Sequence, residues 1–230
     1  MVSWQNFRHI TKLDPDKKNS PEILKTVNES NTDAIMLSGT QGITKSNVND
    51  LYKLIKDSTD KPILVEPVHK SAIIYDVDYL YIPVVLNTKV LDWVQDMHVD
   101  WLGDLVKADK NLPWDRVVSE GYIILNPEST VAKVTKAKTD LEKERVASYA
   151  SYGQLLGLDA IYLEYSGTYG DVETVSFTKK FIKKSKFFYG GGISNREQSM
   201  EMMQLADTIF VGNIIYNDID AYLQTIPEKK

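Results

Sequence analysis

The chain has 230 residues, a length that suits one barrel-sized domain. Hydrophobic residues make up 43% of it, enough for a sizeable core, and the formal net charge of −5 argues against a general nucleic-acid binder. The absence of cysteine excludes disulfides and thiolate metal sites. Because the sequence has neither a signal-peptide pattern nor a membrane-spanning apolar run, we expect a cytoplasmic protein with at most peripheral membrane contact.

Short apolar stretches alternate along the chain with amphipathic ones, which is typical of a parallel sheet wrapped by helices. Strands are predicted at residues 7–13, 34–38, 62–67, 79–86, 121–127 and 160–167, and two more at 187–189 and 209–211. Helices are predicted to begin at Ser20 and to occupy residues 44–58, 90–106, 140–156, 172–184, 195–205 and 214–222. The order predicts a single domain over residues 1–230, an α/β protein with a TIM (β/α)₈ barrel.

The alternation is interrupted after the third strand. Only residues 68–78 separate this strand from the fourth, which is at the lower limit for a full crossover helix. We therefore expect a modified barrel in which the helix after strand 3 is missing or reduced, so that one side is open. A second irregular stretch, residues 128–138, is polar and is predicted to be a mobile surface loop.

The last two predicted strands both stop at glycine. Residues 187–189 run into three glycines that end at Gly192, and residues 209–211 run into Gly212 and Asn213. Glycine leaves backbone N–H groups accessible to an anion, and a following helix N-terminus adds partial positive charge. The loops after strands seven and eight commonly form a phosphate site in such barrels. The pair therefore predicts phosphate binding, whereas one glycine run alone would indicate a tight turn.

Working residues in parallel barrels lie at the carboxyl ends of the strands. The polar residues at these predicted ends are Lys12, Asp14, Thr40, Glu66, His69, Glu164, Tyr165, Ser166, Asn195 and Asn213. Lys12 suits a phosphate oxygen, and Asp14 suits magnesium, which often takes only one or two protein carboxylates. Glu164 interrupts an apolar strand, where desolvation would raise its pKa and favour it as a proton acceptor. A surface lysine, a turn aspartate and a strand-end ion pair remain the structural alternatives.

Five motifs together carry a resemblance that runs along almost the whole chain. They are Lys12-Leu13-Asp14-Pro15, Ser38-Gly39-Thr40, Tyr162-Leu163-Glu164-Tyr165-Ser166-Gly167, Tyr189-Gly190-Gly191-Gly192-Ile193 and Val211-Gly212-Asn213. In these motifs, and in its missing third helix, the chain closely resembles the geranylgeranylglyceryl/heptaprenylglyceryl phosphate synthases, specifically their bacterial heptaprenyl branch. Any one motif alone would be weak.

The resemblance implies a prenyltransferase of lipid biosynthesis. The 3-hydroxyl of sn-glycerol 1-phosphate would attack C1 of a polyprenyl diphosphate, with Mg²⁺ at the departing diphosphate. It implies that glycerol phosphate is held by Lys12, Tyr162, Leu163, Glu164, Tyr165, Ser166, Gly167, Gly192, Gly212 and Asn213. It further implies that Asp14 and Thr40 help to hold magnesium, that Glu164 is the base, and that the protein is a homodimer.

A long apolar substrate tail needs a groove, and a barrel that lacks one helix offers it. Candidates to line this groove are Tyr79, Tyr81, Val84, Trp93 and Trp101, although core or dimer packing remains open for each. Chain length is not fixed by the sequence.

Two other functions stay open at this point. A different phosphate-binding barrel enzyme, such as a sugar-phosphate isomerase, would need two facing acid–base groups, and Glu164 is the single clear candidate. A non-catalytic phosphate-binding barrel would keep the glycine loops but would have no use for Lys12, Asp14 and Glu164 together.

Overall fold

Eight parallel strands close into a barrel in chain order, with β8 pairing back onto β1. The strands are β1 His9–Leu13, β2 Ala34–Ser38, β3 Ile63–Glu66, β4 Tyr79–Val85, β5 Val117–Ile124, β6 Ala160–Glu164, β7 Lys186–Gly190 and β8 Thr208–Val211. This computed structural model describes residues 2–228, so Met1, Lys229 and Lys230 of the predicted domain lie outside the described residues. The predicted barrel is confirmed, and its strand ends meet at one mouth.

Helices follow most of the strands. They are α1 Pro21–Glu29, α2 Lys45–Lys56, α3 Asp96–Lys107, α4 Thr130–Thr135, α5 Lys143–Leu155, α6 Val172–Lys179, α7 Arg196–Leu205, α8 Ile214–Asn217 and α9 Ile219–Thr225. Ser20 and Thr44 cap α1 and α2 by accepting backbone N–H bonds. The predicted last helix is broken at Asp218, which caps α9 by accepting from the Ala221 N–H.

The helix after β3 is missing, as predicted. In the fully described segment 67–78, the chain forms only a 3₁₀ turn, Lys70–Ala72, before β4 begins. Ala72, Ile74 and Val77 are buried there and join the outer core. The connection thus covers its side of the barrel with a short apolar turn, because it is too short for a crossover helix.

The prediction of a mobile loop at residues 128–138 is wrong. The segment contains α4, whose N-cap Ser129 accepts a hydrogen bond from the Ala132 N–H at 3.1 Å. Ala132 and Thr135 are buried on one face of this helix. Two buried positions in a single turn are too weak a periodicity to stand out in a polar stretch, which explains the error.

The barrel interior is filled largely by aromatic side chains. Tyr81 stacks on Phe188, with ring centroids 6.0 Å apart, and Tyr162 stacks on Phe210 at 4.8 Å. A second apolar layer lies between the strands and the surrounding helices. The interior is therefore a packed floor, and the open space lies above it at the carboxyl ends of the strands.

Candidate active site

A cavity of about 660 Å³ opens at the carboxyl ends of the strands. Most of the residues proposed from the sequence line it: Lys12, Asp14, Thr40, Tyr162, Glu164, Ser166, Gly167, Gly192, Gly212 and Asn213. Leu163 and Tyr165 do not, because side chains along a strand alternate between its two faces. Both are buried in the outer core instead, so any part they play in binding would come from their backbone.

The two glycine-ended strands lie side by side at this mouth. Gly192 has φ +56°, and a Cβ atom there would clash with the backbone of Thr168. At Gly212 a Cβ would lie 3.2 Å from the Lys12 Cβ. Only glycine fits the first position without strain, and the second brings β8 close to Lys12. The side chain of the neighbouring Asn213 accepts a bond from Lys17 at 2.9 Å.

Lys12 lies among carboxylates and aromatic rings, with its side chain 18% exposed. Its Nζ is 2.7 Å from Oε2 of Glu66 and donates to the Tyr122 hydroxyl at 3.2 Å. It also lies 4.9 Å from the centre of the Tyr162 ring. Burial alone would lower the pKa of Lys12, but the charges of Glu66 and Glu164 outweigh it and raise that pKa. Lys12 is therefore a permanent cation facing the cavity.

Glu164 is 3% exposed and points into the cavity from the end of β6. Its Oε1 accepts the backbone N–H of Ser166 at 2.6 Å, and its Oε2 lies 3.4 Å from the Tyr122 hydroxyl. Burial raises the pKa of Glu164, although Lys12 and the Ser166 hydrogen bonds act in the opposite direction. A carboxylate with a raised pKa is a better proton acceptor than a solvated one.

Glu66, one of the polar residues predicted at strand ends, and Tyr122, which was not among them, complete the charged cluster. Glu66 is 7% exposed and accepts bonds from Tyr122 and, at 2.5 Å, from Ser38. Tyr122 follows Glu120 by two residues, so both face the barrel interior. The alternation of polar side chains along β5 would have predicted Glu120 and Tyr122 as interior residues, but the predicted strand began only at residue 121.

Glu120 lies deeper in the barrel and is fully buried. Neither of its carboxyl oxygens has a hydrogen-bond partner within residues 2–228. Burial raises the pKa of Glu120 well above its usual range, and the charge of Glu66 adds to the effect. Glu120 is therefore a neutral acid in the folded protein.

Glu120 is expected to contribute a part of the folding stability that falls as pH rises. The folded state keeps a proton that the unfolded chain releases above the ordinary carboxyl pKa, so the slope of unfolding free energy against pH is negative. One such group contributes about 1.4 kcal/mol per pH unit until pH reaches its folded pKa. Between pH 5 and 8, the slope of unfolding free energy against pH, measured with urea, should be less negative for the parent with Glu120→Gln than for the parent itself. Equal slopes would contradict a neutral Glu120.

Asp14 and Thr40 place two hard oxygen ligands in the cavity wall. Asp14 Oδ1 accepts the Asp16 N–H at 2.9 Å, and burial raises the pKa of its carboxyl. Gly39 makes room for this carboxylate, because a Cβ there would lie 2.5 Å from Oδ1. In the described part of the chain no three His, Cys, Asp or Glu residues form a metal cluster. One carboxylate and one hydroxyl still suit Mg²⁺, because substrate phosphates and water complete its shell.

Most residues proposed for the apolar groove lie elsewhere. Tyr79 and Tyr81 are buried inside the barrel and Trp101 is buried in the outer core, so for these three candidates the alternative of core packing holds. Val84 is partly buried and packs against the outer core. Trp93 lines the cavity, where Pro83, Val85 and Val131 add apolar surface. The apolar wall therefore lies beside β4 and α4.

Two other polar residues predicted at strand ends make structural hydrogen bonds. His69 bonds to the Ile43 carbonyl, and the side chain of Asn195 caps α7.

In the described residues, no helix has the length and apolar character needed to cross a membrane.

Comparison with known proteins gives full-length matches. A model of the PcrB family matches residues 2–230. Proteins named heptaprenylglyceryl phosphate synthase from Bacillus cereus and Bacillus mycoides are each 44% identical, over 100% of this chain and 99% of theirs. The solved (S)-3-O-geranylgeranylglyceryl phosphate synthase from Thermoplasma acidophilum, in complex with sn-glycerol-1-phosphate, superimposes with a TM-score of 0.84 at 23% identity, covering 98% of this chain and 96% of that one. The wild-type GGGPS from Thermoplasma volcanium gives 0.81 at 25% identity, covering 96% and 91%.

Proposed function

Because the chain belongs to the PcrB family, as its motifs predicted, we propose that it is a prenyltransferase. It moves a long polyprenyl group, heptaprenyl by analogy with its named relatives, from its diphosphate to the 3-hydroxyl of sn-glycerol 1-phosphate. The product is an ether-linked prenylglyceryl phosphate, and diphosphate is released. The observation that carries this proposal is a single cavity that holds a buried Glu164 carboxylate beside the Gly192 and Gly212 loops and the Lys12 cation.

The phosphate of the acceptor binds at the two glycine loops. Gly192 and Gly212 expose backbone to the cavity, and Lys12 adds a positive charge where β8 meets β1. Ser166 and Gly167 line the same cavity at the end of β6. This arrangement holds the small substrate by its charged end and leaves its hydroxyl end free to face Glu164.

Glu164 then accepts the proton of the 3-hydroxyl. The alcohol oxygen forms a bond to C1 of the prenyl group as the bond from C1 to the diphosphate oxygen breaks, and the electron pair of that bond leaves with diphosphate. Holding both substrates in one cavity replaces a two-body encounter with a local step. The apolar wall at Pro83, Val85 and Trp93 is where the prenyl chain enters.

Asp14 and Thr40 are the residues that would hold Mg²⁺, whose charge would stabilise the departing diphosphate. We expect Asp14→Asn to weaken the dependence of turnover on magnesium, because the neutral amide is a poorer ligand. A magnesium titration of initial rates would measure this change. The matched control is Asp100→Asn, which removes an exposed carboxylate on α3 outside the cavity and should keep the parent's dependence. Identical titrations of Asp14→Asn and the parent would contradict the metal assignment.

The reaction itself is tested by a turnover assay. Purified protein would be offered sn-glycerol 1-phosphate, glycerol 3-phosphate and prenyl diphosphates of several lengths, with and without Mg²⁺. The proposal predicts an ether product from sn-glycerol 1-phosphate, with magnesium required. Transfer to neither glycerol phosphate would rule the synthase out.

We also propose that the protein is a homodimer that acts in the cytoplasm, with at most peripheral membrane contact. Exposed apolar side chains near the end of α5 offer a contact surface, including Leu155, which is 82% exposed. Leu156 and Phe181 are exposed as well. Molar mass in solution would decide the oligomeric state.

A further inference from the structure

One tyrosine hydroxyl lies between two buried carboxylates in the wall of the cavity. Tyr122, on β5, donates to Oε1 of Glu66 on β3, and the same hydroxyl lies 3.4 Å from Oε2 of Glu164 on β6. The two carboxylates belong to strands that do not pair with each other, so this hydroxyl is what joins them. Glu164, Tyr122 and Glu66 therefore form a continuous chain of hydrogen-bonding oxygens.

Such a chain provides a route for the proton that the reaction places on Glu164. Each turnover leaves a proton on Glu164, which is only 3% exposed and lies under the bound substrates. Its Oε1 is held by the Ser166 N–H, whereas Oε2 faces Tyr122. Glu66 in turn bonds to Ser38, a partly exposed residue that lines the cavity.

We propose that Tyr122 and Glu66 form a proton relay that unloads Glu164 after each turnover, an inference that rests on the proposed prenyl transfer. The proton on Oε2 of Glu164 passes to the Tyr122 oxygen while the Tyr122 proton passes to Oε1 of Glu66. Two O–H bonds break and two form, so tyrosine stays neutral and Glu164 returns to its carboxylate form. Glu66 releases the proton towards Ser38 and the cavity when product leaves.

The groups around the relay hold its members in fixed positions. Lys12 donates to the Tyr122 hydroxyl and pairs with Glu66, so one cation contacts two members of the relay. Glu120, below, carries its own proton and adds no charge. The Tyr162 ring packs 4.5 Å from the Tyr122 ring and fixes its orientation. The hydroxyl is thus held in place by packing as well as by hydrogen bonds.

Tyr122→Phe tests the relay, because it removes the bridging oxygen and keeps the ring. We expect the first turnover to proceed within about threefold of the parent, since Glu164 is intact. Later turnovers should slow by about tenfold or more, giving a burst of about one product per site. Small buffers such as formate should restore the steady-state rate, which they would not do for a packing defect. Glu66→Gln should show the same burst and rescue.

Tyr152→Phe is the matched control, because it removes an exposed phenol hydroxyl on α5 and should leave both rates unchanged. Absence of a burst in both Tyr122→Phe and Glu66→Gln, or an equal loss of first and later turnovers that buffer does not restore, would overturn the relay.

A second measurement does not depend on prenyl transfer. The carbon-13 shift of the Glu164 carboxyl should move on Glu66→Gln, because Tyr122 joins the two groups, and should move much less when the same change is made in Tyr122→Phe. An equal change of this shift in both backgrounds would overturn the relay. If the parent formed no prenyl product, the proposed function would fail, and this comparison would still decide whether Tyr122 couples the two carboxyls.

Discussion

Glu164→Gln is expected to reduce turnover by about a hundredfold or more while affinity for sn-glycerol 1-phosphate stays close to that of the parent. The amide keeps the shape of the side chain and can still accept the Ser166 N–H bond, but it cannot take the substrate proton. Burial raises the pKa of Glu164. In the parent the base form should therefore be lost as pH falls, already above the ordinary carboxyl range. Steady-state rates across pH, with calorimetric binding of the acceptor, would measure both effects.

The control for this variant is Glu22→Gln, an exposed position in the first turn of α1, which should behave as the parent does. If Glu164→Gln turned over at the parental rate, Glu164 would be a structural residue and the base would have to be sought elsewhere. If binding and turnover fell together, its role would be to hold the substrate rather than to accept its proton.

Lys12→Met is expected to destabilise the fold by about 3–5 kcal/mol, because it leaves Glu66 as a buried carboxylate without its cation. The pair is 2.7 Å apart, with side chains 18% and 6% exposed, so solvent screens it little. The same change removes the positive charge beside the Gly212 loop and should abolish binding of glycerol phosphate. Urea unfolding and acceptor titration would measure the two losses.

The double variant Lys12→Met/Glu66→Gln distinguishes loss of the Lys12–Glu66 ion pair from loss of packing by the Lys12 side chain. If the loss in Lys12→Met arises from the unpaired carboxylate, the double variant should be more stable than Lys12→Met alone. Its acceptor binding should remain lost. Additive losses in the two single variants would mean that Lys12 stabilises the barrel through packing of its stem and not through its charge.

The barrel could be predicted from the sequence because strand and helix periodicities are local properties of the chain. The missing helix after β3 also followed from a local quantity, the number of residues between two strands. The helix α4 could not be predicted, since its burial depends on the barrel mouth that it covers. For Tyr79 and Tyr81 the choice between the groove and the core stayed open, because nothing in an apolar strand tells which side faces the barrel interior.

The site was predictable only in part, for a related reason. Gly192, Gly212 and Asp14 stand at strand ends in recognisable motifs. The cluster around Lys12 instead depends on contacts between distant segments, such as that of Tyr122 with Glu66, which lie 56 residues apart. The alternation of side chains along β6 could have shown that Glu164 faces the cavity while Leu163 and Tyr165 face the outer core. All three were proposed together because they belong to one continuous motif.

A crystal structure with sn-glycerol 1-phosphate would test the central claim most directly. The phosphate should lie on the backbone amides around Gly192 and Gly212, near Lys12, with the 3-hydroxyl within hydrogen-bonding distance of the Glu164 carboxylate. A phosphate bound away from these loops, or a 3-hydroxyl turned away from Glu164, would contradict the mechanism.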